Sequence, residues 1–270
     1  LNENFRTQPF FSSLIDIIIN YSQNETINFS ISSVNSDFLT DEIEKVSDND
    51  IYDGAIILST NLSNKSVDVC TNKTNKPIVF LDCVHNTAEG NIVGINNKQG
   101  VYLAIKHIVE KEHNNIGYVM SDIRIRNFEE RFEAFKEYAN LFNLNFSDNN
   151  IITLSPNQID SQESVSSQID KFDVTPTVFF CENDTLAISF IKSLSKLGYN
   201  VPKDISVIGF DNIRESTVLT PELTTISVDQ NHFVSTAIEQ LIFSIENPKK
   251  IRHTYINCSL IERDSIVTNN

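Results

Sequence analysis

Residues 201–212, VPKDISVIGFDN, contain the pattern that decides the fold. The apolar side chains of this stretch are Ile205, Val207, Ile208 and Phe210. Such a short apolar run, bounded by turn residues, is typical of a strand that helices cover on both faces. The run stops at Asp211, which places a carboxylate at the carboxyl end of the strand. Because open α/β sheets bind ligands at these ends, Asp211 is a candidate ligand contact.

The rest of the chain alternates between strand-like and helix-like stretches. Further strands are predicted at 27–33, 54–58, 77–82, 91–96, 115–122 and 177–183. Helices are predicted at 10–21, 128–141, 160–172 and 184–197, and around 233–245. A further helix contains Val101 to Ile108 and ends at about Glu112. This alternation predicts parallel sheets with right-handed crossovers. About ten strands and seven helices fit two doubly wound sheets better than one, so the sequence predicts an α/β fold of two lobes with a cleft between them.

Composition restricts the partners of the protein. The chain has 270 residues, of which 40% are hydrophobic, and a formal net charge of -15. This charge would repel a phosphate backbone and an anionic membrane surface. No run of eighteen apolar residues and no signal-peptide layout occurs. We therefore expect no membrane partner, and either a cytosolic protein or one whose leader has been removed.

The cysteines and histidines give no sign of a metal site. Cys70, Cys83, Cys181 and Cys258 are far apart and form no C-x-x-C pair, which argues against a zinc ribbon or a redox motif. The five histidines form no H-E-x-x-H motif. Free thiols in a reducing compartment are the expected state, and we expect no metal and no cofactor.

Polar residues end several of the predicted strands. They are Asp82, Asn96, Ser121 or Asp122, Asn183 and Asp211. Each of them could instead form a turn or cap the helix that follows. Their recurrence at the same end of successive strands favours a shared ligand site.

Several stretches together resemble the effector-binding core of the lactose/galactose repressor (LacI/GalR) family of transcriptional regulators. The similarity covers nearly the whole chain and includes TQPFFSSLIDII, YDGAIIL, PIVFLD, VGINNKQGVYLAIKHIVEKEHNNIGYV, RFEAFKEYA, the run from PTVFFCEND to VIGFDN, and LTPELTTISVD. The chain departs from the family pattern at Asn96, Glu112 and Ala134, where the family has aspartate, glycine and glycine. These three changes are local and should leave the fold intact.

The resemblance implies a periplasmic-binding-protein-like fold of type I. Its lobes would comprise residues 1–95 plus 229–257 and residues 96–228 plus 258–270. A small effector, a sugar or a sugar phosphate, would bind in the cleft between them. The resemblance also implies a homodimer that binds operator DNA through an upstream helix-turn-helix headpiece, which is absent from this chain. Only residues 1–5 remain to represent the family's first strand, so a longer parent sequence is expected.

The resemblance assigns effector contacts to five residues. Phe10 and Phe11 align with side chains that line the family's pocket, where an aromatic face packs against a sugar ring. Arg131 aligns with an arginine whose guanidinium binds the effector. Asn183 and Asp211 align with polar contacts from the second lobe. The alternatives are core packing for Phe11 and a salt bridge to a neighbouring glutamate for Arg131.

Three other charged residues lie close to these positions. Asp184 is interpreted as a helix N-cap rather than a ligand contact. Arg124 and Arg126 follow a predicted strand, and if they faced the cleft they would favour a phosphate or a carboxylic acid as effector.

Two other classes of function remain open. A sugar-binding protein of an ABC transporter would share the fold, but the pairing of VPKDISVIGFDN with LTPELTT is typical of the regulators. An enzyme is disfavoured because no G-x-S-x-G, Walker or G-x-G-x-x-G motif occurs. Effector binding by a regulator is the function that the sequence favours.

Overall fold

The computed structural model describes residues 8–24, 27–34, 38–84, 90–156 and 162–269. Its strands are β1 (Ala55–Leu58), β2 (Ile78–Leu81), β3 (Asn91–Ile95), β4 (Ile116–Ser121), β5 (Ile151–Leu154), β6 (Val178–Cys181), β7 (Ser206–Asp211), β8 (Thr224–Val228), β9 (His253–Ile256) and β10 (Cys258–Ile261). Its helices are α1 (Pro9–Asn24), α2 (Leu39–Asp48), α3 (Asn64–Asn72), α4 (Asn97–Glu110), α5 (Arg126–Leu141), α6 (Gln162–Ile169), α7 (Asp184–Lys196) and α8 (Gln230–Glu246). Short 3-10 helices cover Asp148–Asn150 and Arg214–Thr217.

The chain divides into two compact units. The first unit comprises Leu1–Ile95 and Asp229–Ile256, and the second comprises Asn96–Val228 and Asn257–Asn270. The first unit contains a four-stranded sheet in the order β1-β2-β3-β9, in which every pairing is parallel. Helix α8 packs on three of its strands. This parallel sheet confirms the α/β class that the alternating pattern predicts.

The second unit contains a six-stranded sheet in the order β10-β8-β7-β6-β4-β5. All neighbours are parallel except β10, which runs antiparallel to β8 at the edge. Every residue of β6 and β7 is buried, as expected for central strands with helices on both faces. The carboxyl ends of β4, β6 and β7 are therefore neighbours at one edge of the sheet.

Helix α7 shows how local sequence sets an element in the second unit. Asn183 is its N-cap, and its side-chain Oδ1 accepts a hydrogen bond from the Leu186 amide at 2.9 Å. The predicted N-cap, Asp184, is wrong by one residue. The helix ends at Lys196 before Gly198, whose φ of 89° suits a residue without a Cβ.

The strand predicted at 27–33 is wrong. Residues 27–34 are described and form neither strand nor helix. Ile31 is 51% exposed, and an extended segment becomes a strand only when a neighbouring strand accepts its hydrogen bonds. Residues 1–5, which the resemblance assigns to the family's first strand, lie outside the described residues. Part of the helix predicted at 160–172 also lies outside them, and the described part is Gln162–Ile169.

Gly209 permits a close approach between β7 and α7. A Cβ at this position would lie 2.1 Å from Asp184 Oδ1 and 3.0 Å from Leu223 Cδ2. Gly209→Ala is therefore expected to lower the free energy of unfolding by about 2–3 kcal/mol through overpacking. Urea denaturation measures this change. Gly198→Ala is the control, since a Cβ there meets no atom within 4 Å and only the left-handed backbone would cost about 1 kcal/mol. Equal losses for both variants would contradict the packing argument.

Candidate functional site

Asp211 lies at the carboxyl end of β7, as predicted, and begins a turn with unusual backbone geometry. Its φ is 109° and that of Asn212 is 53°, a region that residues with a Cβ rarely adopt. The turn is fixed through Asn212, which donates to Ser227 Oγ at 3.1 Å and accepts from Arg263 at 2.6 Å. Asp211 itself is 8% exposed. A strained turn held in this way directs a carboxylate to a defined position at the sheet edge.

Arg131 projects from α5 to the same edge and is 3% exposed. One of its terminal nitrogens lies 3.4 Å from Asp211 Oδ1 and donates to the carbonyl of Glu182 at 2.6 Å. The guanidinium carbon stacks 3.6 Å from the centre of the Phe210 ring. These partners are not the neighbouring glutamates with which a salt bridge was the alternative to an effector contact. Arg131 and Asp211, two predicted effector contacts, are brought together in the second unit.

A buried amide orients Arg131. Asn97, at the start of α4, accepts from Arg131 Nε at 2.9 Å. Its amino group donates to Asn127 Oδ1 at 2.7 Å and to Glu130 Oε2 at 3.0 Å. Burial raises the pKa of Glu130, and the bond from Asn97 opposes that rise. Because Asn97 donates on one side and accepts on the other, it links the three side chains in one orientation.

Glu182 follows β6 and is fully buried. Its carboxylate accepts from the Ser121 amide at 2.7 Å, from the Tyr118 hydroxyl at 3.0 Å, and from Arg124 at 2.7 and 2.8 Å. Burial raises the pKa of Glu182, while the Ser121 amide and Arg124 act in the opposite direction. This residue was not among the predicted effector contacts, which included only its neighbour Asn183. A charged residue directly after a wholly apolar strand was the signal that could have identified it.

Asn183 and Asp184 hold the loop segments around the site. The Asn183 side chain caps α7 and is largely buried. Asp184 is fully buried and accepts from the amide of Ile213 at 3.0 Å and from the hydroxyls of Ser216 and Thr225, both at 2.6 Å. Asp184 thus fixes the segment that follows Asp211. The side-chain oxygen of Asn183 already accepts a hydrogen bond from the first turn of α7.

Comparison with known proteins gives the family of this chain. Residues 105–266, more than half of the sequence, match the periplasmic binding protein-like domain family. The chain belongs to this family. It is 25% identical over 267 residues to the HTH-type transcriptional repressor PurR of Vibrio atlanticus (strain LGP32), covering 98% of this chain and 79% of that repressor.

Solved structures show the same fold. A LacI family transcriptional regulator from Enterococcus faecium with bound ribose has a TM-score of 0.78 and 25% identity, covering 98% of this chain and 96% of that chain. A sugar-binding LacI family regulator from Escherichia coli complexed with phosphate has a TM-score of 0.83 and 19% identity, covering 99% of this chain and 96% of that chain. At this identity the match shows only that the two proteins share a fold. The resemblance to LacI/GalR regulators and the expected fold class are confirmed.

In this periplasmic binding protein-like chain, Phe10 and Phe11 lie at the start of α1 in the first unit. Both are 7% exposed, and their rings meet edge to face with centroids 5.5 Å apart. Asp82 directly follows β2 of the same unit and accepts a hydrogen bond from the Thr60 hydroxyl. Asn96 caps α4, accepting from Gln99 N at 3.2 Å, which is the helix-cap alternative that the sequence left open. The structure thus assigns these strand-end and aromatic residues local roles, and their effector contacts stay a prediction.

Within the described part of the chain, no group of three histidine, cysteine or acidic side chains could hold a metal ion. The four cysteines are buried free thiols. None of the described helices has both the length and the hydropathy needed to cross a bilayer. The carboxyl edge of the six-stranded sheet offers guanidinium donors and carboxylate acceptors held by buried partners, an arrangement suited to binding a small polar molecule.

Proposed function

We propose that this chain is the effector-sensing core of a bacterial LacI-type transcriptional repressor. The single observation that carries the proposal is the pairing of Arg131 and Asp211, 3.4 Å apart, at the carboxyl edge of the larger sheet. A guanidinium and a carboxylate in one place can donate to and accept from adjacent hydroxyl groups. The relatives, named as repressors and regulators, support a binding function over catalysis and over transport.

The proposed effector is a sugar or a sugar phosphate. Arg131, Asn183 and Asp211 of the second unit would contact it, together with Phe10 and Phe11 of the first. We propose that the effector binds where the resemblance to the family implies, in a cleft between two lobes. These lobes are residues 1–95 plus 229–257 and residues 96–228 plus 258–270. The ribose bound to the Enterococcus faecium regulator supports the sugar class.

The proposed mechanism is a shift in population between two lobe arrangements. An effector favours one arrangement only by the difference between its affinities for the two. A near-complete switch requires a difference of about 5 kcal/mol, which a few charge-assisted hydrogen bonds can supply. In a homodimer in the cytoplasm, this shift would control operator binding by a helix-turn-helix headpiece.

A thermal-shift screen tests the proposal. The panel contains pentoses, hexoses, disaccharides, their phosphate esters and nucleobases. A ligand that binds only the folded state adds about 2.7 kcal/mol at one hundred times its dissociation constant, so at least one sugar or sugar phosphate is expected to raise the melting temperature by several degrees. A panel in which nucleobases alone raise it would reject the sugar class, and one with no response would reject effector binding.

A further inference from the structure

Two arginines converge on Glu182. Arg124 reaches its carboxylate with one terminal nitrogen, at 2.7 and 2.8 Å from the two oxygens. Arg131 reaches its backbone carbonyl at 2.6 Å. The ring of Phe128 lies beside both guanidinium groups, 5.9 Å from that of Arg124 and 5.7 Å from that of Arg131. Arg124 therefore belongs to the same cluster as the predicted effector contact Arg131.

The position of Glu182 within this cluster is fixed. The Ser121 amide and the Tyr118 hydroxyl, which is itself buried, both donate to its carboxylate. The carboxylate cannot swing away from Arg124 without leaving these donors unsatisfied, which is costly inside a protein. These donors and the Arg124 guanidinium favour the ionised form of the carboxylate, which places a negative charge directly behind Arg124, whose side chain is 31% exposed.

The arginines around the cluster each face a carboxylate. Arg124 faces Glu182, Arg131 faces Asp211, and Arg126 faces Glu129. An anion that approached the exposed part of Arg124 would meet the Glu182 charge directly behind it. Since like charges brought together in a poorly solvated place repel strongly, the cluster is suited to an uncharged ligand.

We propose that Glu182 is a specificity-determining residue that makes the effector site reject phosphate esters and other anions in favour of uncharged, hydroxyl-rich molecules. This inference rests on the proposed function and narrows it from a sugar or a sugar phosphate to an unphosphorylated sugar. It also reverses the expectation from sequence that Arg124 would favour an anionic effector.

Inorganic phosphate is the direct probe of this role. Glu182→Gln keeps the size of the side chain and an oxygen that can accept from Ser121, but it removes the charge. The variant is expected to bind phosphate at least about tenfold more tightly than the wild type in isothermal titration calorimetry, because Arg124 then has an uncompensated charge. Glu129→Gln is the matched control. It removes the same charge beside the exposed Arg126 and should stay within about twofold of the wild type.

Equal phosphate affinity in the wild type and Glu182→Gln, including binding by neither, would overturn the inference.

If Glu182→Gln does not fold, the affinities of the wild type for matched pairs of a sugar and its phosphate ester are compared instead. Examples are D-ribose with D-ribose 5-phosphate and D-glucose with D-glucose 6-phosphate. The uncharged member of the pair that binds is expected to bind at least about tenfold more tightly. A phosphate ester that binds as tightly as its parent sugar would overturn the inference but leave the proposed function standing. Failure of every sugar and ester would instead overturn the proposed function, and this inference with it.

Discussion

Asp184→Ala is expected to lower the free energy of unfolding of the second unit by about 3–5 kcal/mol. Asp184 is fully buried and accepts three hydrogen bonds, from the Ile213 amide and from the hydroxyls of Ser216 and Thr225. Alanine would leave these donors without an acceptor and open a space beside Gly209. Urea denaturation followed by circular dichroism measures the loss.

The control for this prediction is Asp173→Ala, which removes an exposed aspartate of the same unit. Its effect should stay within about 0.5 kcal/mol. If Asp184→Ala unfolded at the same urea concentration as Asp173→Ala, the buried carboxylate would not be holding the segment after β7.

The same residue gives a pH dependence of defined sign. Burial raises the pKa of Asp184 from 3.8 to about 6, against the opposing hydrogen bonds from Ser216 and Thr225. Between these two values the folded state binds more protons than the unfolded state, so this contribution to stability grows as pH falls through 6 and is lost as pH rises. Asp184→Asn does not titrate there. The difference in stability between wild type and Asp184→Asn should therefore change in favour of the wild type by about 2–3 kcal/mol from pH 7 to pH 4. Parallel pH profiles would contradict the burial argument.

Arg131→Met is expected to weaken effector binding at least about a hundredfold, since truncating one member of a buried charged pair typically costs 2–5 kcal/mol. The substitution removes the donors to the ligand and leaves Asp211 without the cation 3.4 Å away. Arg131→Lys keeps the charge but loses the planar group that stacks on Phe210 at 3.6 Å, so an intermediate loss is expected. Titration calorimetry with the best ligand of the screen measures both.

Arg126→Gln is the matched control on the same helix. Arg126 is exposed and pairs with Glu129 at 3.0 Å, and exposed pairs of this kind contribute little. Its affinity should stay within about twofold of the wild type. An affinity loss as large as that of Arg131→Met would mean that net charge, rather than the geometry at the sheet edge, controls binding.

The sequence predicted those parts of the fold whose signal is local. The strands predicted at 54–58, 77–82 and 177–183 are confirmed. They were predictable because a short apolar run between turn residues is typical of a buried strand. The prediction at 27–33 failed because alternation alone does not supply a pairing partner. Strands β5, β8, β9 and β10 were missed as separate elements, since they lie at or near sheet edges and carry mixed side chains.

The candidate site divides in the same way. Asp211 was predictable because its place at a strand end follows from the pattern of one stretch. The partners of Arg131 were not, because Asn97 and Glu182 lie 34 and 51 residues away in the chain and only the tertiary fold brings them together. The adjacent residues Asn183 and Asp184 show most clearly what local sequence cannot distinguish. Asn183 caps the helix, whereas Asp184 is buried and holds a segment that is distant in the chain.

The most direct test of the central claim is a crystal structure of the protein with the tightest-binding ligand of the screen. We expect ligand hydroxyl groups within hydrogen-bonding distance of the Arg131 guanidinium and the Asp211 carboxylate. A ligand bound elsewhere, with neither side chain in contact with it, would contradict the assignment of the effector site to the carboxyl edge of the six-stranded sheet.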